Sequence, residues 1–250
     1  MLGKSLPKMI TDMPGPKSAA AQAIRTQNVP QGISCSTPYY IARGEGAMVE
    51  DIDGNIMMDW AGGIGVLNIG YSQPEVVAAV KEQAEKFFHS SVNVLQYESY
   101  VRLAKKLNEI IPIDGPKKTM FVSTGAEADE NAIKMARKYT KKTDVLCFEG
   151  AFHGRTALTM ALTSKPLYRM GFGPFPPGIH RLPYAYCYRC AYGLEYGTCN
   201  MRCLERIEEA LHFVADPSEL AAIIIEPVQG EGGFVPAPKE FIQGIRDICT

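Results

Sequence analysis

The sequence lacks any long apolar run. No segment approaches the run of about 20 apolar residues that a membrane-spanning helix needs. It also lacks an excess of either charge, because 26 basic and 27 acidic residues give a formal net charge of −1. This balance argues against a general attraction to nucleic acid or to anionic membranes. The N-terminus, MLGKSLPKMITDMPGPKSAA, has no continuous apolar stretch of the kind that secretory signals contain. We therefore expect a cytoplasmic protein with neither nucleic acid nor membrane as a partner.

Cysteine is too scarce for a disulfide scaffold, with seven residues in a chain of 250. The apolar fraction of 46% is normal for a soluble globular protein. A chain of this length can bury a substantial core, as one large domain or two small ones.

Strands and helices are predicted to alternate along most of the chain. Residues 1–40 are rich in Pro, Gly and Ser and are expected to form an extended arm, followed by two strands around the turn signal Asp53-Gly54. Further strands are predicted at 119–122, 144–149 and 221–228, and helices at 71–90, 98–111, 126–140, 203–215 and 238–250. Ser72 and Glu75 are predicted to form a capping box for the first of these helices. The alternation predicts an α/β fold, with a mainly parallel sheet and helices on both faces.

Three glycine-marked turns each follow a predicted strand. They are Ser123-Thr124-Gly125-Ala126, EGAFHGRT at 149–156 and EPVQGEGG at 226–233. Because ligands lie at the carboxyl ends of the strands in an open parallel sheet, all three turns are expected to face one site. The first turn opens a helix, where backbone amides and the helix dipole favour a phosphate. It has neither the Gly-Lys-Ser/Thr of a P-loop nor the G-x-G-x-x-G of a dinucleotide site.

Taken singly, the side chains of these turns also fit ordinary roles. Phe152 is suited either to stack on a flat ring or to pack in the core, and His153 fits a packing histidine. Arg155 is suited to grip a carboxylate with two hydrogen bonds or to form a surface ion pair. Glu226 directly follows an isoleucine-rich run and is poorly solvated unless something binds it, although Glu226 and Glu231 also fit exposed turn carboxylates. Local pattern alone favours an ordinary strand–helix turn.

Longer motifs identify a family resemblance. STGAEADENAIKMAR, FEGAFHGRTALTMALT and AAIIIEPVQGEGGF, in this order, resemble the class III (ω-amino-acid) aminotransferases, which are fold type I pyridoxal-phosphate (PLP) enzymes. The stretch RGEGAMVEDIDGNIMMDWAGGIGVLNIGYSQPEVVAAV is similar to the N-terminal domain of that family. Within the family, the likeness is greatest to the 4-aminobutyrate aminotransferases. The resemblance extends from about Gly15 to the last residue and is broken mainly at a cysteine-rich stretch.

The resemblance implies a role for each turn. It implies that backbone amides of the first turn bind the cofactor phosphate and that an aromatic ring of the second stacks on the pyridine ring. The residues implied to bind cofactor are Thr124, Gly125, Ala126, Phe152, His153 and Glu226. The residues implied to bind substrate are Ile64, which lines the pocket, Arg155, which holds the substrate carboxylate, and Glu231. Glu231 is implied to pair with an arginine near the C-terminus of the family and to swing away to admit 2-oxoglutarate.

The implied reaction moves an amino group from an ω-amino acid, such as 4-aminobutyrate, to 2-oxoglutarate. Acetylornithine or another ω-amine remains an alternative donor. The family also needs a lysine that binds the cofactor covalently and an aspartate that holds the pyridinium nitrogen, and in the family both lie beyond the last residue of this chain. Lys134 and Lys138 match no family position. The chain is therefore expected to be an N-terminal part with no catalytic residue of its own, and not to transaminate alone.

The resemblance also predicts the organisation of the chain. Residues 1–70 are expected to form an N-terminal arm with the strands of a small α+β segment. Residues 71–250 are expected to form part of the large cofactor-binding domain, with a cysteine-rich insertion at 184–203. The family works as a dimer, so a homodimer, or a tetramer, is expected for the full-length form. The apolar face of the last predicted helix, Phe241, Ile242, Ile245 and Ile248, has no following strand to cover it, so the chain looks cut short.

Four cysteines crowd into the stretch YCYRCAYGLEYGTCNMRC. The spacing Cys187-x2-Cys190-x8-Cys199-x3-Cys203 suits zinc or an iron–sulfur cluster, and a loop without its own core gains stability from such a metal. The alternative is four reduced cysteines without metal. A third reading of the whole chain is accordingly a non-catalytic metal-binding module that retains half of an enzyme fold.

Overall fold

The structure is a computed structural model that describes residues 2–250. It divides into two compact units, one ending at Leu103 and the other beginning at Ala104. The predicted domain division at residue 70 stays a prediction. Within the described part, none of the helices combines the length and the apolar character needed to cross a membrane.

The N-terminal unit contains a three-stranded antiparallel sheet and several helices. Its strands pair in the order β1-β2-β3. The elements in chain order are α1 (Pro16–Asn28), β1 (Ile41–Glu45), β2 (Met48–Asp51), β3 (Ile56–Met58), the single turn α2 (Gly62–Gly65), α3 (Pro74–Ala84) and α4 (Glu98–Ile110), which runs across the division. The predicted pair of strands around Asp53-Gly54 is therefore confirmed as the β2–β3 hairpin.

The β2–β3 hairpin holds the N-terminal arm through a buried asparagine. Asn55 is fully buried, and its Oδ1 accepts the backbone N–H groups of Ile10 at 2.8 Å and Thr11 at 3.0 Å. Its Nδ2 donates to Thr11 Oγ1 at 2.9 Å and to Asp51 Oδ2 at 2.8 Å. The hairpin turn thus satisfies the polar groups of a segment more than 40 residues away in sequence.

The same hairpin also begins α1, which corrects the expectation that residues 1–40 are extended throughout. Asp53 accepts the amides of Lys17 at 2.7 Å and Ser18 at 2.8 Å, in the first turn of the helix. Pro16 occupies the first helical position, where its missing N–H is no loss. An alanine-rich stretch follows, and alanine has the highest helix propensity.

The predicted capping box of α3 is wrong. The residue at the N-cap is Gln73, whose side chain accepts the amide of Val76 at 2.9 Å. Ser72 lies one residue too early and has a left-handed backbone with a φ of 50°. Pro74 does occupy the first turn, as expected.

The C-terminal unit contains a parallel sheet in the order β5-β4-β6. Its elements are α5 (Gly125–Thr140), β4 (Asp144–Phe148), α6 (Ala157–Leu162), β5 (Ile179–Leu182), α7 (Arg202–Phe213), β6 (Leu220–Ile223), β7 (Val228–Gln229), β8 (Val235–Pro236) and α8 (Lys239–Ile248). The strand predicted at 119–122 is wrong, because this segment pairs with none of the strands described in residues 2–250. An apolar run becomes a strand only where a neighbour takes its backbone hydrogen bonds.

Helices cover both faces of this sheet. Successive residues of β4 point to opposite faces, so one side packs against α5 and α6 and the other against α7 and α8. Buried residues of the first side include Ile133, Val145, Cys147 and Leu162, and those of the second include Leu146, Phe148, Ile207, Phe241 and Ile245. The expectation that the apolar face of the last helix remains uncovered is therefore wrong, since α8 packs into the core.

Candidate active site

α5 begins with a capping box in which two further backbone amides have no hydrogen-bond acceptor among the residues described. Thr124 Oγ1 accepts the amide of Glu127 at 3.1 Å, and Glu127 Oε2 accepts the amides of Ser123 at 2.6 Å and Thr124 at 3.1 Å. Within residues 2–250, the amides of Gly125 and Ala126 donate to no acceptor. A Cβ built on Gly125 would meet nothing within 4 Å, so the space beside it is open. The positive end of the helix and two donors are thus available to an anion.

The second glycine-marked turn lies directly against the first. Gly154 has a φ of 128°, and a Cβ built on it would come within 2.7 Å of Ala126 Cβ. Only glycine permits this approach, which brings the turn at 149–156 to the start of α5.

Glu226 joins the second turn to the third. Its Oε1 accepts the amide of Phe152 at 2.8 Å, and its Oε2 accepts the amide of Gly230 at 3.0 Å. The sequence predicts that the carboxylate of Glu226 is poorly solvated unless something binds it. In the structure, both of its oxygens accept hydrogen bonds from backbone amides. The structure brings all three turns together within the C-terminal unit.

An aromatic pair lies in this cluster. The rings of Phe152 and Tyr168 meet edge to face with their centroids 5.1 Å apart. The guanidinium carbon of Arg155 is 5.8 Å from the Phe152 centroid and 5.3 Å from that of Tyr168, which is a cation–π arrangement. Arg155 is exposed, and in the described part of the chain no carboxylate forms an ion pair with it.

Glu231 has two partners that the sequence did not reveal. Its Oε2 accepts hydrogen bonds from Lys165 Nζ at 2.9 Å and from Tyr168 OH at 3.1 Å. The hydrogen bond from Lys165 holds the pKa of Glu231 below its ordinary value, with further contributions from Tyr168 and from the charge of Arg155. Nothing in the pattern of the sequence singles out Lys165 or Tyr168, because their role depends on contacts over more than 60 residues.

His153 is buried with one ring nitrogen paired. Its Nδ1 lies 3.0 Å from Asp129 Oδ2, and its amide donates to Thr163 Oγ1 at 3.1 Å. A carboxylate facing Nδ1 favours the proton on that nitrogen. The buried Nε2 has no hydrogen-bond partner among the residues described. The histidine therefore retains one buried polar atom without a partner among the residues described.

Ile64 belongs to the N-terminal unit and lies in α2. Its side chain is exposed, and its backbone is left-handed, with a φ of 63°. A β-branched residue rarely adopts this conformation, and such strain concentrates at functional sites. The implied role of Ile64 in a substrate pocket stays a prediction.

The four clustered cysteines line one small pocket together with tyrosine side chains, and all four thiols are free. Burial, followed by the neighbouring thiols, raises the pKa of Cys203 to about 11, and burial also raises the pKa of Cys187. Across residues 2–250, no group of His, Cys, Asp or Glu is arranged to hold a metal ion. The structure therefore gives no support to zinc or an iron–sulfur cluster at Cys187, Cys190, Cys199 and Cys203.

The fold is that of the PLP-dependent transaminases. Taurine:2-oxoglutarate aminotransferase from Bifidobacterium kashiwanohense, solved in complex with PLP and glutamate, superposes with a TM-score of 0.81 at 26% sequence identity. The match covers 92% of this chain and 52% of that one. The family description for class III aminotransferases matches residues 33–250, and the chain belongs to this family. The resemblance seen in the sequence is thereby confirmed.

Two curated relatives are aminotransferases that are named for their amino-acid substrates. The chain is 43% identical over 246 residues to 4-aminobutyrate aminotransferase of Mycobacterium tuberculosis (strain H37Rv), which covers 97% of this chain and 54% of that protein. It is 42% identical over 227 residues to 5-aminovalerate aminotransferase DavT of Pseudomonas putida (strain KT2440), which covers 90% of this chain and 52% of that protein. The chain thus spans about half the length of the curated relatives that it matches.

Proposed function

We propose that the protein containing this chain acts as a PLP-dependent aminotransferase that moves the amino group of an ω-amino acid, 4-aminobutyrate in the first place, to 2-oxoglutarate. The observation that carries this proposal is the meeting of the three glycine-marked turns. They gather a helix start suited to an anion, an aromatic ring and a guanidinium that has no carboxylate partner among residues 2–250. Family membership and the names of the relatives support the reaction and the substrate class.

The residues present fit the cofactor. The unused amides of Gly125 and Ala126 at the start of α5 are suited to hold its phosphate, with Thr124 fixing the geometry of the turn. The ring of Phe152 offers an aromatic face, and the free Nε2 of His153 offers one polar contact. Glu226 acts through the backbone, by fixing the two turns around the ring. When bound, PLP supplies the electron sink that transamination needs, while the protein anchors and orients it.

The substrate carboxylate is assigned to Arg155. A guanidinium presents a planar fork of donors that matches a carboxylate, and this one is exposed and unpaired within the described residues. Such a contact distinguishes ω-amino acids from simple amines of the same length. Ile64 lines the pocket in this proposal. Glu231 changes position to admit a dicarboxylate acceptor, an assignment supported by the family resemblance and by the 2-oxoglutarate in the name of the solved relative.

The second candidate substrate is 5-aminovalerate, because one relative at 42% identity is named for it. Acetylornithine is the third. We further propose a cytoplasmic location and a homodimer for the complete gene product.

The test is a transamination assay on the complete gene product, purified and loaded with PLP. 4-Aminobutyrate, 5-aminovalerate and N-acetylornithine are each offered with 2-oxoglutarate, and glutamate is measured. We expect the two ω-amino acids to give the highest kcat/KM. Absence of glutamate from all three donors would refute the proposed function, and a preference for N-acetylornithine would replace the substrate assignment.

A further inference from the structure

His153 is hydrogen-bonded to two helices at once. Its ring Nδ1 lies 3.0 Å from Oδ2 of Asp129 on α5, and its backbone N–H donates to Oγ1 of Thr163, at the end of α6, at 3.1 Å. Only 4% of the histidine side chain is exposed, and Thr163 is fully buried. The backbone and the ring of this residue are therefore held by different elements.

The second glycine-marked turn is also fastened on each side of this histidine. Before it, the amide of Phe152 donates to Glu226 Oε1 at 2.8 Å. After it, Thr156 Oγ1 donates to Oε1 of Glu130 on α5. Asp129 differs from these partners, because its hydrogen bond depends on which ring nitrogen carries the proton. The attachment of the turn at its centre is thus linked to the tautomer of one imidazole.

The two ring nitrogens of His153 have different surroundings. An ionised carboxylate only accepts hydrogen bonds, so Asp129 requires a proton on Nδ1. A neutral imidazole then has a lone pair on Nε2, which is buried and has no hydrogen-bond partner among residues 2–250. The opposite tautomer would set two lone pairs against each other at 3.0 Å and would bury an N–H group without an acceptor. Both ends of the ring therefore favour the same tautomer.

We propose that Asp129 is a positioning residue, which fixes His153 in the Nδ1–H tautomer and thereby holds the ring orientation that fastens the second turn to α5. This role rests on the proposed function, since the same turn carries Phe152 and Arg155, which are assigned to cofactor and substrate. Asp129 acts through the imidazole and not by contact with either ligand. Because Nε2 is left as an acceptor, any group that meets it must supply an N–H or an O–H.

Asp129→Leu removes the hydrogen-bond acceptor and keeps a side chain of similar size. We expect the proton of His153 to redistribute between the two ring nitrogens. We also expect PLP to bind about fivefold more weakly, which corresponds to about 1 kcal/mol, because the turn that carries Phe152 is less firmly held. Asp129→Asn is expected to restore the tautomer, and PLP affinity to within about twofold, because its amide oxygen accepts the hydrogen of Nδ1.

Glu130→Ala is the matched control. Glu130 is the next residue of α5 and binds the same turn, but through Thr156 rather than through His153. If any attachment of the turn to α5 has the same effect, Glu130→Ala weakens PLP binding as much as Asp129→Leu does, and the proposal is overturned. We expect instead that Glu130→Ala leaves the histidine tautomer unchanged and the PLP affinity within about twofold of the parent protein.

The experiment records nitrogen-15 spectra of the complete gene product, labelled at histidine and free of PLP. The nitrogen shift distinguishes a protonated ring nitrogen from an unprotonated one, and His153→Asn identifies the signals of His153 by their loss. PLP affinity is measured on the same variants by equilibrium dialysis.

A proton on Nδ1 and none on Nε2 in the parent protein and in Asp129→Asn, with a changed distribution in Asp129→Leu, supports the proposal. A proton on Nε2 in the parent protein, or an unchanged tautomer or PLP affinity in Asp129→Leu, overturns it while leaving the proposed function intact. Failure of the parent protein to bind PLP would refute the proposed function instead, and the tautomer, which is measured without cofactor, would be unaffected.

Discussion

At the scale of single residues, the start of α5 divides its amides between two tasks. Three of them, from Ser123, Thr124 and Glu127, close the capping box and fix the turn. The other two, from Gly125 and Ala126, remain for a ligand. The anion site is therefore rigid before any anion arrives, which lowers the entropy cost of binding.

Gly125→Pro tests this division, because proline removes one amide and is favoured at the first helical position. Thr124 is extended, with a φ of −142° and a ψ of 160°, as the residue before proline should be. We expect the fold to persist and PLP to bind roughly tenfold more weakly or worse, since a hydrogen bond to a charged group contributes about 1.5–3 kcal/mol. Gly125→Ala is the control, because it keeps the amide and adds a Cβ in open space. Equal loss of PLP from both variants in equilibrium dialysis would contradict the assignment.

Arg155→Ala tests the substrate side of the same cluster. We expect kcat/KM for 4-aminobutyrate to fall roughly tenfold or more, since a hydrogen bond to a charged group contributes about 1.5–3 kcal/mol, while activity toward butylamine is spared. Arg189→Ala, in the cysteine-rich loop, is the control for loss of a surface guanidinium. Parallel loss with both substrates would mean that Arg155 supports the structure instead.

At the scale of elements, the β2–β3 hairpin serves as the attachment point of the N-terminal arm. Asn55 binds two amides of the arm, and Asp53 binds two amides at the start of α1. A four-residue turn therefore organises two segments that precede it in the chain.

Asn55→Ala is expected to release the arm. It removes four hydrogen bonds and leaves buried polar groups unsatisfied, which costs about 2–3 kcal/mol. Cleavage by trypsin after Lys8, which pairs with Ile56 of β3, should accelerate markedly. Asn28→Ala, an exposed asparagine at the end of α1, should leave the cleavage rate within about twofold. Equal cleavage rates in the two variants would show that the arm is held by other contacts.

Elements with local signals were predictable from the sequence, and those that depend on distant partners were not. The predicted helices at 98–111 and 126–140 match α4 and α5 closely, because their periodicity is local, and α5 also has a local capping box. The strand at 119–122 failed because its apolar run has no neighbouring strand. Helix α1 was missed because part of its N-terminal capping comes from Asp53, 35 residues further along.

The residues of the candidate site also separate into those that local sequence signals predicted and those that depend on distant partners. Gly125, Phe152 and Arg155 were visible in glycine-marked turns and family motifs. Lys165, Tyr168 and Asp129 were not, because each gains its partner only when segments remote in sequence come together. The metal prediction at the cysteines gains no support, because spacing places the four cysteines around one small pocket without fixing a geometry that could hold a metal among the described residues.

At the scale of the whole molecule, several hydrogen-bonded carboxylates set the response to acid. Hydrogen bonds from His180, Tyr71, Lys165 and Arg202 lower the pKa values of Asp144, Asp59, Glu231 and Glu209 respectively. A carboxyl whose folded pKa is depressed contributes stability above its unfolded pKa, and this contribution is lost as the pH falls through the folded pKa. The chain should therefore be more stable at neutral pH than in acid.

Urea unfolding of the chain as a function of pH checks this expectation. The midpoint should be steady near neutral pH and fall between about pH 5 and pH 2, as these carboxyls take up protons. Asp144→Asn should reduce the decrease of the urea midpoint between neutral and acidic pH, because it removes one of the titrating carboxyl groups. Asp12→Asn is the control, since the Asp12 side chain is exposed and makes no hydrogen bond or ion pair among the contacts described for residues 2–250. A urea midpoint that rises on acidification would contradict the predicted direction of the pH dependence.

The carboxyl group of Glu226 has a consequence for motion. One oxygen holds the amide of Phe152 and the other holds the amide of Gly230, so a single side chain fastens two turns that are 78 residues apart. Neither turn can then loosen without straining the other bond of the same carboxylate. The two amides should exchange their hydrogens with solvent deuterium in step, through a shared opening event, and Glu226→Gln should make them exchange independently. The two turns would accordingly open as one body.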